Sequence, residues 1–447
     1  MFKSNTVRIF LSLILSLGIQ QSVHSANDGL RKFSIAGIEP DTESSITMKK
    51  NADGSLGMLS EDQGFGLNLI GRKVLRPHEE YLKGSRANEQ DVLNRIGKLM
   101  VERNFANKER GAHPVSVGIL KGSYQGYSED AVRSEIEKKY GQELKNVTFP
   151  EGGLLGTDRL GQKADFFARA SFARGGSNSM NLMAMAGKFI FEDGKPMDSI
   201  GTNDQRFIVK DLAQFLIFAD KGPLGLLIRH PIVTFNLIRS VLKLRNINSY
   251  ADETYFSQMA YKFGDEGHIQ KFRYAPIDCV TKEPRTKSPA GKKTDNYYRD
   301  ELASKFHNKE NICFNYQVQI IANDKVQTSD VEDTYKIWDE KEYPWVTIGE
   351  ISIKGEEQEV ASDSDGIPKQ SEDLKTTGEN CSFSINRRPL DEAGLGSLRA
   401  FRELYQVMHE MRTEVKGLDI DTNNEPNSID ELVKIYNPKG NEAVSLQ

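Results

Sequence analysis

Two stretches decide the fold class of this chain: HPVSVGILKGSY (residues 113–124) and residues 165–191, which begin with DFFARASF. Val, Ile, Phe and small residues dominate both, a composition that favours strands of an antiparallel sheet. Strand patterns return at residues 272–276, 314–321 and 345–353, whereas residues 212–219 and 231–244 favour helices. The order of strands, helices and strands again predicts an α+β fold.

The first 26 residues predict export. A basic start that includes Lys3 and Arg8 precedes an apolar run over residues 9–19, and small residues follow up to Ala26. This order is typical of a secretory signal peptide, with an uncleaved membrane anchor as the alternative. We expect a periplasmic or secreted protein with a signal peptide (1–26), a polar N-terminal arm (27–74), a folded domain (75–415) and a polar tail (416–447).

Composition narrows the classes of partner. The net charge is only −5, which gives no basic field for nucleic acid, so we expect no nucleic-acid partner. The most apolar later stretch, residues 215–244, is interrupted by charged side chains, and we expect no permanent membrane span. Three widely spaced cysteines, Cys279, Cys313 and Cys381, allow one disulfide in an oxidising compartment, and the sequence leaves the pair open.

Four blocks carry candidate chemistry through their order and spacing. RGAH (110–113) places an arginine three residues before a histidine, and RAS (169–171) places a second arginine two residues before a serine. GTNDQRFIVKD (201–211) adds polar side chains and an aromatic residue. The last block is the helical pattern over residues 397–415, in which Tyr405, His409 and Arg412 are four and seven residues apart and share one face.

Taken in this order, the blocks resemble the catalase-related haem protein superfamily. Segments 255–258, 263–264, 271–274, 333–338 and 344–345 are most similar to its smaller members, the catalase-like haem hydroperoxidases. The resemblance covers about residues 75–415, which we therefore expect to be a catalase-like haem domain. It implies an antiparallel β-barrel of about eight strands surrounded by helices, with haem b and its iron as the cofactor.

On the distal side of the haem, the resemblance implies an acid–base role for His113, which Ser171 would orient. Asn203 or Thr202 would hydrogen-bond the peroxide. An imidazole suits the transfer of a proton from a bound hydroperoxide to its leaving oxygen.

On the proximal side, the resemblance implies that Tyr405 is the axial iron ligand. A phenolate donor favours cleavage of the O–O bond, and guanidinium groups bind haem carboxylates in bidentate fashion. The other implied cofactor contacts are propionate arginines Arg110, Arg169 and Arg412, pocket aromatics Phe207 and Phe215, and His409 beside the ligand.

Two positions depart from the family pattern. Thr202 stands where the family has its distal asparagine, although Asn203 follows directly, and Phe401 stands where the family has an arginine that steadies the phenolate. Arg399 or Arg402 would have to substitute for that arginine. Both departures predict poor catalase turnover and favour peroxidase or lipid-hydroperoxide chemistry.

The sequence thus predicts an exported haem hydroperoxidase whose substrate is a small peroxide, either hydrogen peroxide or an organic or lipid hydroperoxide. The alternative is a catalase-like module that binds haem or lipid without catalysis, because a fold does not fix a function. A homo-oligomer also stays open.

Overall fold

The structure is a computed structural model. It describes residues 30–34, 45–50, 56–58, 95–96, 99, 110, 113–172, 182–230, 234, 247–288, 293–294, 296–362, 364, 366, 368–385, 387–396, 398–399, 402, 426 and 428–436. The expected signal peptide therefore lies outside the described residues.

Fourteen strands and six helices have bounds within these ranges. They are, in chain order, β1 (Leu30–Ser34), β2 (Ser45–Lys50), β3 (Leu56–Met58), β4 (Val115–Gly126), α1 (Glu129–Tyr140), β5 (Lys163–Phe172), β6 (Met183–Ile190), β7 (Met197–Thr202), α2 (Leu212–Arg229), β8 (Tyr255–Phe256), β9 (Tyr261–Phe263), β10 (His268–Ile277), α3 (Tyr297–His307), β11 (Ile312–Ile321), α4 (Thr328–Glu332), β12 (Val346–Ile353), β13 (Val360–Ser362), β14 (Pro368–Gln370), α5 (Glu372–Asn380) and α6 (Ile429–Tyr436).

Eight of these strands close an antiparallel barrel. The order is β11-β12-β4-β5-β6-β7-β8-β10, and β10 pairs back onto β11 through a register that runs from Ile269↔Ile321 to Ile277↔Cys313. The narrowest junction joins β7 to β8 through the single pair Thr202↔Phe256. The predicted α+β class and the predicted barrel of about eight strands are confirmed.

The interior of the barrel is filled with side chains. Aromatic rings from several strands pack against one another, as in the edge-to-face pair of Tyr124 and Phe189 at 5.1 Å. Arg388 enters this cluster, where its guanidinium lies 4.5 Å from the ring centre of Tyr261 and donates to the hydroxyl of Tyr316. Glu392 pairs with the guanidinium at 3.1 Å, so the buried charge is compensated.

Residues 355–380, after β12, are rich in Glu, Asp, Ser and Lys, a composition that predicts a surface excursion. In the structure this stretch is docked onto the barrel. The side-chain amide of Gln370 accepts from the backbone N–H of Ile119 and donates to its carbonyl, at 2.8 and 2.6 Å. Gln358 makes the same pair of bonds with Lys121. Because β12 pairs with β4 only over residues 123–126, these two side chains occupy the part of the β4 edge that β12 does not cover.

Asp198 fastens the next part of the chain to the barrel. This buried residue of β7 receives the ammonium of Lys188 at 2.6 Å, the guanidinium of Arg387 at 2.8 Å and the backbone N–H of Ser384 at 2.7 Å. The contacts place residues 381–385 and 387 across the outside of β6 and β7. Arg388 follows directly and reaches the barrel interior.

Part of the expected polar tail is helical in the structure. Within residues 416–447, α6 buries Leu432 and Tyr436 against α5 and β5, and the carbonyl of Tyr436 accepts from the Asn380 amide. Its apolar residues recur at helical spacing, a pattern that the polar flanks obscured. The expected polar arm, residues 27–74, likewise contains a three-stranded antiparallel sheet formed by β1, β2 and β3.

The cysteine pairing that the sequence leaves open is settled in the structure. Cys279 and Cys313 form a disulfide beside the paired strands β10 and β11, whereas Cys381 is a buried free thiol beneath α5 and α6. Among the described helices, none combines the length and the apolar character that crossing a bilayer requires.

We expect Gln370→Ala to destabilise the protein by about 2–4 kcal/mol, because both backbone groups of Ile119 lose their buried partner. Urea unfolding measures this loss. Ser123→Ala, an exposed position on the same strand, is the control and should cost under about 0.5 kcal/mol. Equal losses in the two variants would show that the Gln370 amide does not support the edge of β4.

Candidate distal site

His113 lies directly before β4 and has an unusual backbone conformation. Its φ is +48°, a left-handed value that is uncommon for residues other than glycine, and Pro114 follows it. The residue is partly covered, and its Nδ1 atom is buried without a hydrogen-bond partner in the described part of the chain. A buried polar atom of this kind usually marks a site for a water, an ion or a ligand.

The imidazole of His113 is held in its neutral form. Burial is the main cause that lowers its pKa, and the guanidiniums of Arg169 and Arg402 lower it further, to about 3. A neutral ring keeps one nitrogen as a hydrogen-bond acceptor. A ring in this form can accept a hydrogen bond or a proton, and the distal role of His113 stays a prediction.

Arg169, predicted to bind a haem propionate, is engaged by protein groups. Its Nε and Nη2 both donate to Oε1 of Glu379, at 3.1 and 2.7 Å, and its Nη1 donates to the carbonyl of His113 at 3.0 Å. A longer bond of 3.4 Å reaches the carbonyl of Pro114. Arg169 is buried, and a carboxylate from α5 already neutralises it.

Arg110, the other described arginine with a predicted propionate role, caps the end of α5. Its guanidinium donates to the carbonyls of Glu379 at 2.7 Å and Cys381 at 3.2 Å. A cation at the carboxyl end of a helix satisfies carbonyls that have no partner within the helix and interacts favourably with the helix dipole.

Ser171 does not make the predicted contact with His113. Its hydroxyl donates to the carbonyl of Ala184 across β5 and β6 at 3.5 Å, and the hydroxyl of Tyr250 donates to the same carbonyl. Tyr250 stacks on Tyr255 at 5.0 Å. This tyrosine pair is not evident in the sequence, because only the closure of the barrel brings residues 171, 184 and 250 together.

The structure distinguishes the two candidates for the distal amide. The hydroxyl of Thr202 donates to the carbonyl of Asp204, so the loop itself uses it. Asn203 accepts from the backbone N–H of Met183 through Oδ1, while its Nδ2 is buried with no hydrogen bond of ordinary geometry to a described residue. Burial raises the pKa of Glu253, and the side-chain amide of Asn203 partly opposes this effect. The Asn203 amide therefore lies beside the Glu253 carboxyl.

The two predicted pocket aromatics lie together. Asp211 caps the start of α2, where its side chain accepts from the backbone N–H of Gln214, and this fixes the direction in which Phe215 leaves the loop. The rings of Phe207 and Phe215 stack at 5.9 Å. They therefore form one apolar surface.

Arg402 reaches the barrel from the segment that precedes the predicted axial ligand. It donates to the carbonyls of Ile200 and Ser257, and to Oε1 of Gln258 at 3.3 Å. Gln258 in turn donates to the carbonyl of Arg206, which follows Asn203 in the same loop. Tyr405, His409, Arg412 and Phe401 lie outside the described residues, so their predicted roles stay predictions.

The described residues fit a haem only in part. The neutral imidazole with its unpaired Nδ1 and the Phe207–Phe215 surface suit the distal side of a macrocycle. Arg110 and Arg169 do not suit haem carboxylates in this arrangement, because protein carbonyls and Glu379 already accept their hydrogen bonds. No cluster of three His, Cys, Asp or Glu side chains within the described ranges is arranged to hold a metal ion.

The barrel, with His113 at the start of one of its strands, has a catalase-like fold. Two solved structures show the likeness, each with a TM-score of 0.51: a fungal catalase, 14% identical over 68% of this chain, and catalase A from Saccharomyces cerevisiae, 13% identical over 72%. The matches span 59% and 64% of those two chains, less than two thirds of either. No protein-family model matches the sequence, and no curated protein sequence matches it.

We expect His113 to make the folded protein less stable as the pH falls. Its pKa is 6.5 in an unfolded chain and about 3 in the folded protein, so between these values the unfolded state binds more protons. From pH 7 to pH 4.5 the wild-type protein should lose about 2 kcal/mol more of its unfolding free energy than His113→Gln does.

Urea unfolding at the two pH values gives this difference. The matched control is His307→Gln, an exposed position at the end of α3, which should leave the wild-type loss unchanged. A His113→Gln protein that loses as much stability as the wild type would show that the imidazole is not held neutral.

Proposed function

We propose that this chain is an exported b-type haem hydroperoxidase, with His113 as its distal acid–base group and Tyr405 as its axial iron ligand. One observation carries the proposal. On a catalase-like barrel, a neutral imidazole lies beside two guanidiniums, and its buried Nδ1 has no hydrogen-bond partner among the described residues. Its substrate would be hydrogen peroxide or an organic or lipid hydroperoxide.

When bound, haem would supply the iron centre at which a peroxide O–O bond can be cleaved. The residues of the chain would bind the peroxide and move its proton. His113 is neutral at physiological pH and can accept that proton at a ring nitrogen. Because nearby guanidiniums disfavour the charged ring, His113 would then release the proton readily to the leaving oxygen.

Asn203 is the better of the two candidates for a hydrogen bond to the peroxide. Its side chain is an amide with two N–H donors, of which Glu253 can take one, whereas the single hydroxyl of Thr202 is already bound within its loop. Arg402 acts on the same side of the site, since its charge lowers the pKa of His113.

The choice of peroxide rests on the departures from the catalase pattern. A distal amide displaced by one position and a proximal arginine replaced by Phe401 favour slow catalase turnover. They support peroxidase chemistry, in which a second substrate donates the electrons, and an organic or lipid hydroperoxide as the oxidant.

Export is supported by two features. The first 26 residues have the pattern of a signal peptide, and the Cys279–Cys313 disulfide is of a kind that persists in oxidising compartments. The proposed location is the periplasm or the exterior of the cell.

A binding module without catalysis is the second candidate. Protein groups accept the hydrogen bonds of Arg110 and Arg169, and this favours the binding module. In a haem enzyme of this class we would expect these guanidiniums to bind the haem carboxylates instead. A lipid bound by such a module would lie outside the barrel, since Arg388 and the aromatic cluster fill the lumen.

Absorption spectra of the purified chain with added haem test the proposed function. We expect a Soret band with features of high-spin ferric tyrosinate in the wild type, and its loss or shift in Tyr405→Phe. His113→Gln should retain the band and lose at least about 100-fold of the rate of peroxide consumption, as removal of a general acid–base group does.

A folded wild-type protein without a Soret band would exclude the proposed haem hydroperoxidase and leave the binding module as the remaining candidate function. A normal Soret band with an unchanged rate in His113→Gln would retain the cofactor and exclude His113 as the acid–base group. The rate with an organic hydroperoxide, compared with that for hydrogen peroxide, then identifies the preferred substrate.

A further inference from the structure

The guanidinium of Arg169 joins two parts of the chain that are far apart in sequence. On one side it donates twice to Glu379, and on the other it donates to the carbonyls of His113 and Pro114. The side chain of Arg169 is 3% exposed and that of Glu379 is 32% exposed, so the pair lies at the edge of the site with the arginine inside.

Glu379 is supported by a well-fixed helix. Ser371 caps the start of α5, where its hydroxyl accepts from the backbone N–H of Leu374, and Arg110 binds the carbonyls at its end. Leu374 is buried against the outside of the barrel, and Asn380 is bound to the carbonyl of Tyr436 in α6. The carboxylate of Glu379 is therefore presented from a fixed platform.

The turn that Arg169 binds needs such support. His113 has a left-handed backbone conformation and is followed by proline, a combination that local sequence preferences oppose. The carbonyls of His113 and Pro114 accept from Arg169, which offers them neighbouring N–H groups in a rigid fork. A guanidinium without its counter-charge would not be held in this buried position.

We infer that Glu379 is a positioning residue for His113 that acts through Arg169, and that this internal carboxylate takes the place of a ligand carboxylate on Arg169. The first part concerns the chain alone. The second part rests on the proposed haem function and deepens it. It states that Glu379, rather than a haem carboxylate, accepts the hydrogen bonds of Arg169.

Chemical modification of His113 in the ligand-free chain tests the first part. Diethyl pyrocarbonate acylates neutral imidazoles that solvent can reach, and mass spectrometry of the peptide that contains residue 113 gives the rate. In Glu379→Ala we expect this rate to rise at least about 10-fold, as loss of a charged hydrogen bond opens the turn. Glu379→Gln keeps an oxygen acceptor for Arg169 and should restore most of the protection.

Glu372→Ala is the matched control on the same helix, since the side chain of Glu372 is 85% exposed and pairs only with Lys375 among the contacts described for it. It should leave the rate at His113 unchanged. A wild-type rate in Glu379→Ala, or an equal rise in Glu372→Ala, would overturn the positioning role. If Glu379→Ala does not fold, Arg169→Lys provides the same test, because lysine keeps the charge and loses the fork.

Binding of two porphyrins tests the second part. The affinities of haem and of haem dimethyl ester are measured for the wild type and for the neutral pair Arg169→Gln/Glu379→Gln. We expect the affinity for haem divided by the affinity for haem dimethyl ester to be the same in both proteins within about 2-fold. If Arg169 binds a haem carboxylate, the ratio should instead fall about 10-fold or more in the double variant, and the inference would be overturned.

The two tests separate this inference from the proposed function. A wild-type chain that binds neither porphyrin contradicts the proposed haem function, whereas the modification rates of His113 still decide whether Glu379 positions the turn.

Discussion

The carboxylate of Asp198 is the constraint on which the outer layer of the structure depends. It lies with no exposure to solvent, and it binds one ammonium, one guanidinium and one backbone N–H. Removing one member of such a group leaves an uncompensated buried charge, which is among the most destabilising changes a protein can undergo. The segment held in this way carries α5 before it and Arg388 after it, so both the support of His113 and the filling of the barrel depend on this contact.

Much of the fold could be predicted from the sequence because the patterns that favour strands are visible within short stretches of residues. The density of Phe and small residues in residues 165–191 is a property of neighbouring residues, and β5 and β6 lie almost entirely within this range. The closure of the barrel needed the family resemblance, since the pairing of β10 with β11 leaves no signal in either strand alone. The docking of Gln358 and Gln370 was missed because a glutamine that binds a distant strand has the same local pattern as a solvated one.

In the candidate site, too, local sequence signals could be predicted and contacts between distant residues could not. Spacing between Arg110 and His113 identified the segment that carries the imidazole, and the barrel gives this ring a buried position. What each arginine binds could not be predicted, since Glu379 lies 210 residues beyond Arg169 and in a stretch whose composition suggests a surface loop. Ser171 is a similar case, because its acceptor was decided by the pairing of β5 with β6 rather than by its distance from His113 in sequence.

The disulfide has a consequence for the covalent form of the chain. Cys279 and Cys313 are separated by 34 residues in sequence, and the bond between them closes the intervening segment, with α3 in it, into a ring. A protease that cuts this ring once would produce a nicked molecule whose two pieces remain covalently joined, and the hairpin of β10 and β11 would keep its register. In a compartment rich in proteases, a cut at this place would create two new chain termini without releasing a fragment.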